Sequence, residues 1–302
     1  MPKVSKNHHY IPRSVLRQFC FEGESLLLFD AMHRNLGYRQ KNVEKAFQKF
    51  HANTIDSISG EKSDFVEKWL EREVDGPLAE VLNAAKTNLD SLLTKEAKKV
   101  FAKYLVTLLF RSPRGRSFWM SGATTALDFA DSIHSLSRTL DPSFATGLFN
   151  GIAPENFKQA FVTAMPTFVG DDDIEMLLEC DLIFGIPKGH ELFCISDFPH
   201  MRYDDPRNAS SELMHENWCI LSPRLALCFV KDCKFELEGS KMFLPDSFVR
   251  RINYDFAMRS QYVASNCLWQ LHRTVKHLGE FVSGRDLAET RPESFEASGA
   301  LY

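Results

Sequence analysis

The chain has 302 residues, of which 44% are hydrophobic and 25% charged, with a net charge of −4. Such a chain can bury a sizeable core, and its slightly acidic balance excludes a protein that grips nucleic acid over its whole surface, so any polyanion site must be a local basic patch. Its seven cysteines have no CxxC spacing and sit mostly in apolar runs, which argues against a disulfide framework and for reduced thiols in a reducing compartment.

The N-terminus is such a basic patch: residues 1–21 hold Lys3, Lys6, Arg13 and Arg17 and no acid. It is polar and His-rich, unlike a secretory signal. His8-His9-Tyr10 reads as an extended arm, and Pro12 suits the first turn of a helix, where its missing N–H costs nothing. On that helix Val15, Leu16, Phe19 and Cys20 form an apolar arc, with Arg13 and Arg17 one turn apart at its edge. Leu26-Leu27-Leu28-Phe29-Asp30 is an apolar run of strand length. Residues 34–54 are mixed, while residues 63–75 and 77–89 read as two helical segments; Gly76-Pro77 between them predicts a break or kink. The clearest helix runs from Lys95 to Arg111, with Ala97, Phe101, Tyr104, Leu105, Leu108 and Leu109 at helical spacing, and Ser112-Pro113 ends it. Further helices are expected over residues 116–140 and 155–165.

The pattern then changes. Residues 181–186 and 191–195 are apolar runs around Pro187-Lys188-Gly189-His190 and predict a hairpin. Residues 218–221 and 226–230, joined by Ser222-Pro223-Arg224, predict two more strands. Residues 246–278 return to helical periodicity, and the polar tail from residue 289 reads as frayed. The longest apolar run, residues 104–110, is far short of a membrane span. The expected class is α+β, largely helical with a small antiparallel sheet in the second half. We expect one domain over residues 1–288, helical to residue 165 and sheet-containing from residue 166, in a cytoplasmic protein with no membrane association.

Chemistry concentrates in three places. The first is the arm. Neighbours in an extended segment point to opposite faces, so one of His8 and His9 faces a given pocket and the other supports it. The inward one suits acid–base catalysis or metal ligation, and equally a histidine satisfied by backbone where the arm docks. No HxH, HExxH or Cys/His set supports a metal. Tyr10, Arg13 and Arg17 beside them are candidate substrate contacts. The second place is Arg111, which either compensates the dipole of its helix or completes an anion clamp with Arg13 and Arg17. The third is Ser196-Asp197 at a strand end. There Asp197 could orient a histidine or hold a metal and Ser196 could act as a nucleophile, or both could bond the local turn. Asp171-Asp172-Asp173 precedes a helical run and reads as dipole compensation. There is no GxGxxG, Walker loop or GxSxG, and the Trp and Phe residues lie at core spacings, which argues against a stacking platform for nucleic acid.

These landmarks together resemble an uncharacterised bacterial family, the domain of unknown function numbered 4238. Its opening pattern, His-His-Tyr-x-Pro-x-x-x-Leu-Arg-x-Phe, corresponds here to His8, His9, Tyr10, Pro12, Leu16, Arg17 and Phe19. Arg111-Ser112-Pro113 is similar to its Arg-[Ser/Thr]-Pro, and Leu221-Ser222-Pro223 to its Leu-Ser-Pro. Ser196-Asp197-Phe198-Pro199 resembles its strand end, with Phe198 where the family has Asn, and Asn253 corresponds to the opening of its final helix. The resemblance spans roughly residues 6–270 and implies a single full-length domain. It brings no established activity. The setting of its members in accessory genomes and defence-like gene neighbourhoods implies an activity directed at nucleic acid.

Two functions are consistent with this. One is a hydrolase of a phosphodiester or other phosphorylated substrate, in its specific form a nuclease. His8 or His9 would be the acid–base, Asp197 would orient it or bind a metal, Ser196 would position substrate, and Arg13, Arg17 and Arg111 would stabilise the charge on the reacting phosphorus. The other is a non-enzymatic protein- or nucleotide-binding module in which the His-His-Tyr-x-Pro-Arg arm is structural. A metal-dependent hydrolase is a third form. The cofactor stays open, and the expected partner is a nucleic acid or nucleotide at the basic patch, or a protein.

Overall fold

The structure, a computed structural model, describes residues 7–50, 52–56, 62–86, 88–122, 157–168, 171–203, 216–231, 233, 237–276 and 278. In chain order the strands are β1 (Asn7–His9), β2 (Ser25–Asp30), β3 (Tyr38–Asn42), β4 (Gln48–Phe50), β5 (Ile55–Asp56), β6 (Lys62–Ser63), β7 (Asp181–Pro187), β8 (Ile195–Ser196), β9 (His200–Tyr203), β10 (Glu216–Ser222), β11 (Leu225–Val230), β12 (Lys241–Leu244) and β13 (Tyr262–Ser265). The helices are α1 (Arg13–Leu16), α2 (Phe65–Leu70), α3 (Gly76–Ala85), α4 (Lys95–Arg111), α5 (Pro113–Gly122), α6 (Phe157–Ala164), α7 (Asp171–Leu178), α8 (Asp246–Met258) and α9 (Leu268–Val275). These elements form two compact units drawn from interleaved segments: Met1–Ser14 with Phe47–Leu178, and Val15–Ala46 with Glu179–Tyr302.

The first unit is mostly helical. Thr94 caps α4, its hydroxyl accepting the Ala97 N–H at 3.1 Å. The helix buries Ala97, Phe101, Tyr104, Leu105 and Leu108 of the stripe its periodicity predicts, with Leu109 only half-buried, plus the charge of Arg111 at its end. Ser112 then turns the chain. Its extended backbone (ψ 150°) closes α4, and its hydroxyl accepts the Gly115 N–H at 3.1 Å, while Pro113 opens α5. A Cβ at Gly115 would lie 1.6 Å from the Leu109 carbonyl oxygen, so this bend requires glycine. The expected helix over 116–140 therefore begins earlier, at Pro113, and the residues after Gly122 up to residue 156 lie outside the described ones. α6 falls within the expected 155–165 segment.

Gly76-Pro77 does not break the chain. α2 runs through a π turn, Glu71–Asp75, straight into α3. Gly76 N–H bonds Glu71 C=O five residues back, and a Cβ there would stand 2.9 Å from that oxygen. A widened turn absorbs the proline that would otherwise clash with the preceding turn.

The second unit holds the larger sheets, and here the expectation of a small sheet in the second half fails. A five-stranded sheet has the order β12-β7-β11-β10-β9, and a four-stranded sheet has the order β3-β2-β13-β8, with β2 and β3 contributed by the first half of the chain. All pairings are antiparallel except β12 with β7. The predicted hairpin of residues 218–230 is present as β10 and β11, and β2 occupies the predicted run at Leu26. The hairpin predicted over 181–195 is absent: β7 pairs with β11 and β12, whereas β8 pairs with β13 in the other sheet. Leu192 and Cys194 bond side chains instead of a neighbouring strand, and the Phe193 N–H donates to Pro223 C=O at 2.9 Å. Cys194 N–H donates to Asn253 Oδ1 at 2.8 Å, Asn253 Nδ2 donates to Leu192 C=O at 2.7 Å, and Leu192 N–H donates to Gln270 Oε1 at 3.3 Å. Asn253 thus lies buried in the middle of α8, and does not open a helix. The helical reading of 246–278 also missed β13, a four-residue central strand between α8 and α9. Phe29, Cys194, Ala257, Val263 and Leu271 form a core cluster of this unit.

Candidate functional site

The arm is a strand, and its alternation decides between the histidines. β1 pairs with β4, placing His8 opposite Lys49, with Asn7 exposed, His8 fully buried and His9 half-buried. Tyr10 is buried; its N–H donates to Phe47 C=O at 3.1 Å and its ring meets the Phe47 ring edge-on at 6.1 Å. Phe47 adopts a left-handed backbone (φ 50°), uncommon for an aromatic residue.

Asn53 is the hub of a polar cluster behind the arm. Its backbone N–H donates to His8 Nδ1 at 2.7 Å. This makes Nδ1 the acceptor, so a neutral His8 carries its proton on Nε2. The Asn53 side chain donates to Glu67 Oε2 at 2.5 Å and accepts from Arg116 Nη2. Arg116 also donates to the carbonyls of Ala52 and, at 3.3 Å, Arg111. Arg111, 1% exposed, grips Asp75 through both terminal nitrogens, at 2.6 and 3.1 Å, and donates to His9 C=O at 2.8 Å. This planar, two-pronged contact is one that lysine could not reproduce.

Electrostatics separate the members. Burial pushes the Glu67 carboxyl up, against the opposing pull of Arg111 and the Asn53 hydrogen bond. Burial likewise lowers Arg116 to about 10, reinforced by the neighbouring Arg111 charge. Arg111 is held up by Asp75 and Glu67 despite complete burial. Among the described residues no group of three or more His, Cys, Asp or Glu side chains is arranged to hold a metal ion.

The remaining sequence candidates lie elsewhere. Arg13 is exposed at the start of α1. Arg17 belongs to the second unit and forms an exposed ion pair with Glu24 at 2.9 Å. Ser196 and Asp197 also belong to the second unit. Ser196 Oγ accepts the Phe198 N–H at 3.3 Å, a local contact, whereas both Asp197 oxygens accept the N–H of the distant Gln261, at 3.1 and 3.3 Å. Burial raises Asp197 to about 6 against these hydrogen bonds. Lys3 and Lys6 lie outside the described residues, and Asp171 opens α7.

Sequence reasoning missed Asn53, Glu67, Asp75 and Arg116. Glu67 and Asp75 are eight residues apart, a spacing that on an uninterrupted α-helix separates two side chains by about 80°. The extra residue of the π turn brings them back to one face, and Asp75 acts on Glu67 electrostatically. The usable signal was Gly76-Pro77 inside a helical pattern, since π turns gather at functional sites. Arg116 was signalled by the Ser112-Pro113 start of its helix, which puts it in the first turn, beside the end of α4.

Residues 7–267 match the family described as "Protein of unknown function (DUF4238)". No curated protein and no solved structure matches the chain.

Proposed function

The chain belongs to the DUF4238 family, which carries no activity with it, and from the geometry of the Asn53 cluster we propose that it is a hydrolase of phosphodiester or other phosphorylated substrates, in its specific form a nuclease. One observation carries this reading: the half-buried Glu67 carboxyl, raised by burial, is fixed by Asn53 beside two buried guanidinium groups. When Glu67 is protonated, the cluster loses one negative charge beside Arg111 and Arg116, which favours an anion there. Glu67 then donates its proton to the leaving oxygen as the P–O bond breaks, and the water that attacks phosphorus releases its proton to solvent, since the His9 side chain points to the opposite face of β1 from the His8–Asn53 contact. His8 is sealed and holds the Asn53 backbone, so its role is positioning. Ser196 and Asp197 have no part in this step.

The test is Glu67→Gln, which keeps the oxygen that accepts from Asn53. Hydrolysis of bis(p-nitrophenyl) phosphate and of labelled single-stranded DNA and RNA should fall by about 10²- to 10⁴-fold with melting unchanged. Equal rates in variant and wild type, or no turnover of any of these by the wild type, would sink the proposal.

A specific observation favours a second reading, the binding module with a structural arm. Arg111 and Arg116 direct their hydrogen bonds to Asp75, Asn53 and three backbone carbonyls, all within the protein. On that reading Glu67→Gln changes no reaction, and Arg111→Lys lowers melting through loss of the two-pronged contact alone.

A further inference from the structure

The second unit carries a separate cluster on α8 and α9. Glu191 is buried, and its Oε1 holds two guanidinium groups, Arg250 of α8 at 3.1 Å and Arg273 of α9 at 3.0 Å. Its backbone N–H donates to Asp246 Oδ1 at 3.1 Å. Arg273 also lies over the ring of Trp269, one turn earlier on α9, at 5.1 Å. α9 buries Gln270, Leu271, Thr274 and Val275. Its period of 3.6 therefore puts Trp269, Arg273 and Lys276 together on the outer face. Trp269 is 52% exposed, and the Arg250 and Arg273 side chains are 41% and 38% exposed.

This combination is unusual for a merely solvated face. A half-exposed indole leaves a large flat apolar surface in water. Three cations, Arg250, Arg273 and Lys276, stand against two acids, Glu191 and Asp246, so the local balance is positive although the chain is acidic. Each arginine gives only Nη1 to Glu191 among the described residues, so its other N–H groups remain for a ligand. The buried carboxylate thus works as a peg that fixes both guanidinium groups, Arg273 against the ring, and lowers the entropy they would lose on binding.

We propose that this face of α9 binds single-stranded nucleic acid, one base stacking on Trp269 while Arg250 and Arg273 take flanking phosphates. Single strands are favoured over duplex because a stacking surface needs an unpaired base. They are favoured over a lipid surface because an interfacial helix needs a continuous apolar face, and α9 spends its own inward. The expectation from sequence that no stacking platform exists followed from tryptophans at core spacing; Trp269 has that spacing but points away from the core. This proposal goes beyond the hydrolase reading and does not depend on it, because it is read from binding without turnover.

The experiment titrates the full chain into a fluorescein-labelled phosphorothioate oligothymidylate of about 12 nucleotides, a length matched to one binding surface, and follows anisotropy. Trp269→Ala should weaken binding by about 5- to 100-fold, with Trp269→Phe retaining most of it. Arg273→Gln should weaken binding and flatten its dependence on salt between about 50 and 200 mM. Trp269→Ala should melt with the wild type, so lost binding reports the face and not the fold. Three outcomes overturn the proposal: no binding by the wild type, Trp269→Ala binding within twofold of it, or binding of anionic lipid vesicles in place of the oligonucleotide. Oligonucleotide binding that persists in Glu67→Gln, or in a protein without hydrolysis, supports this proposal whatever becomes of the other.

Discussion

Burying a charge is costly unless it meets an opposite charge or enough donors, and Arg111 and Asp197 are two outcomes of that rule. Arg111 meets a carboxylate and stays a cation. Asp197 meets backbone N–H groups, and burial wins, raising it to about 6. Because an unfolded aspartate titrates near 4, the folded chain binds this proton more tightly, and Asp197 costs stability above pH 6, a cost relieved as pH falls toward 4. Asn at this position carries no such cost. Relative to Asp197→Asn, the wild type should gain roughly 2–3 kcal/mol between pH 7 and pH 4; parallel urea midpoints for the two proteins across that range would contradict it. The sequence joined His8, His9, Tyr10 and Arg111 to Arg13, Arg17, Ser196 and Asp197 as one polar group, of which Arg17, Ser196 and Asp197 lie in the second unit. The partners Asn53, Glu67 and Asp75 were not legible, because isolated Asn, Glu and Asp residues on amphipathic segments look like any solvated face.

At the scale of elements, short-range physics was legible and long-range bonding was not. α4 has the predicted bounds because a capping threonine, an apolar stripe and a proline stop are all local. The 181–195 hairpin fails because Asn253 and Gln270, more than fifty residues away in sequence, take the hydrogen bonds of Leu192 and Cys194. Asn253 replaces a strand neighbour by presenting one acceptor and one donor to two backbone groups. Asn253→Ala leaves the Cys194 N–H and the Leu192 carbonyl buried without it, and should cost about 2–4 kcal/mol in denaturant unfolding. A midpoint equal to the wild type would show that water or a shifted neighbour substitutes for the amide.

At the scale of the whole molecule, the chain enters the second unit at Val15, leaves it after Ala46 and returns at Glu179. The four-stranded sheet depends on this, since β13 pairs with β2 from the first visit and with β8 from the second. A fragment of residues 179–302 should therefore lack cooperative unfolding, and a single chain fusing residues 15–46 to it through a flexible linker should recover it. Near-ultraviolet circular dichroism and thermal melts of the two proteins decide the matter; a cooperative melt of the short fragment would refute it. The sequence by itself determined the Lys95–Arg111 helix, the Trp218 hairpin, the family and the basic, His-rich arm, because these rest on spacing and on chemistry between near neighbours. Tertiary structure alone decided which histidine is buried, which carboxylates meet the arginines and which strands share a sheet. Those outcomes depend on hydrogen bonds and charges contributed by distant segments, and no local pattern records where such a segment will arrive.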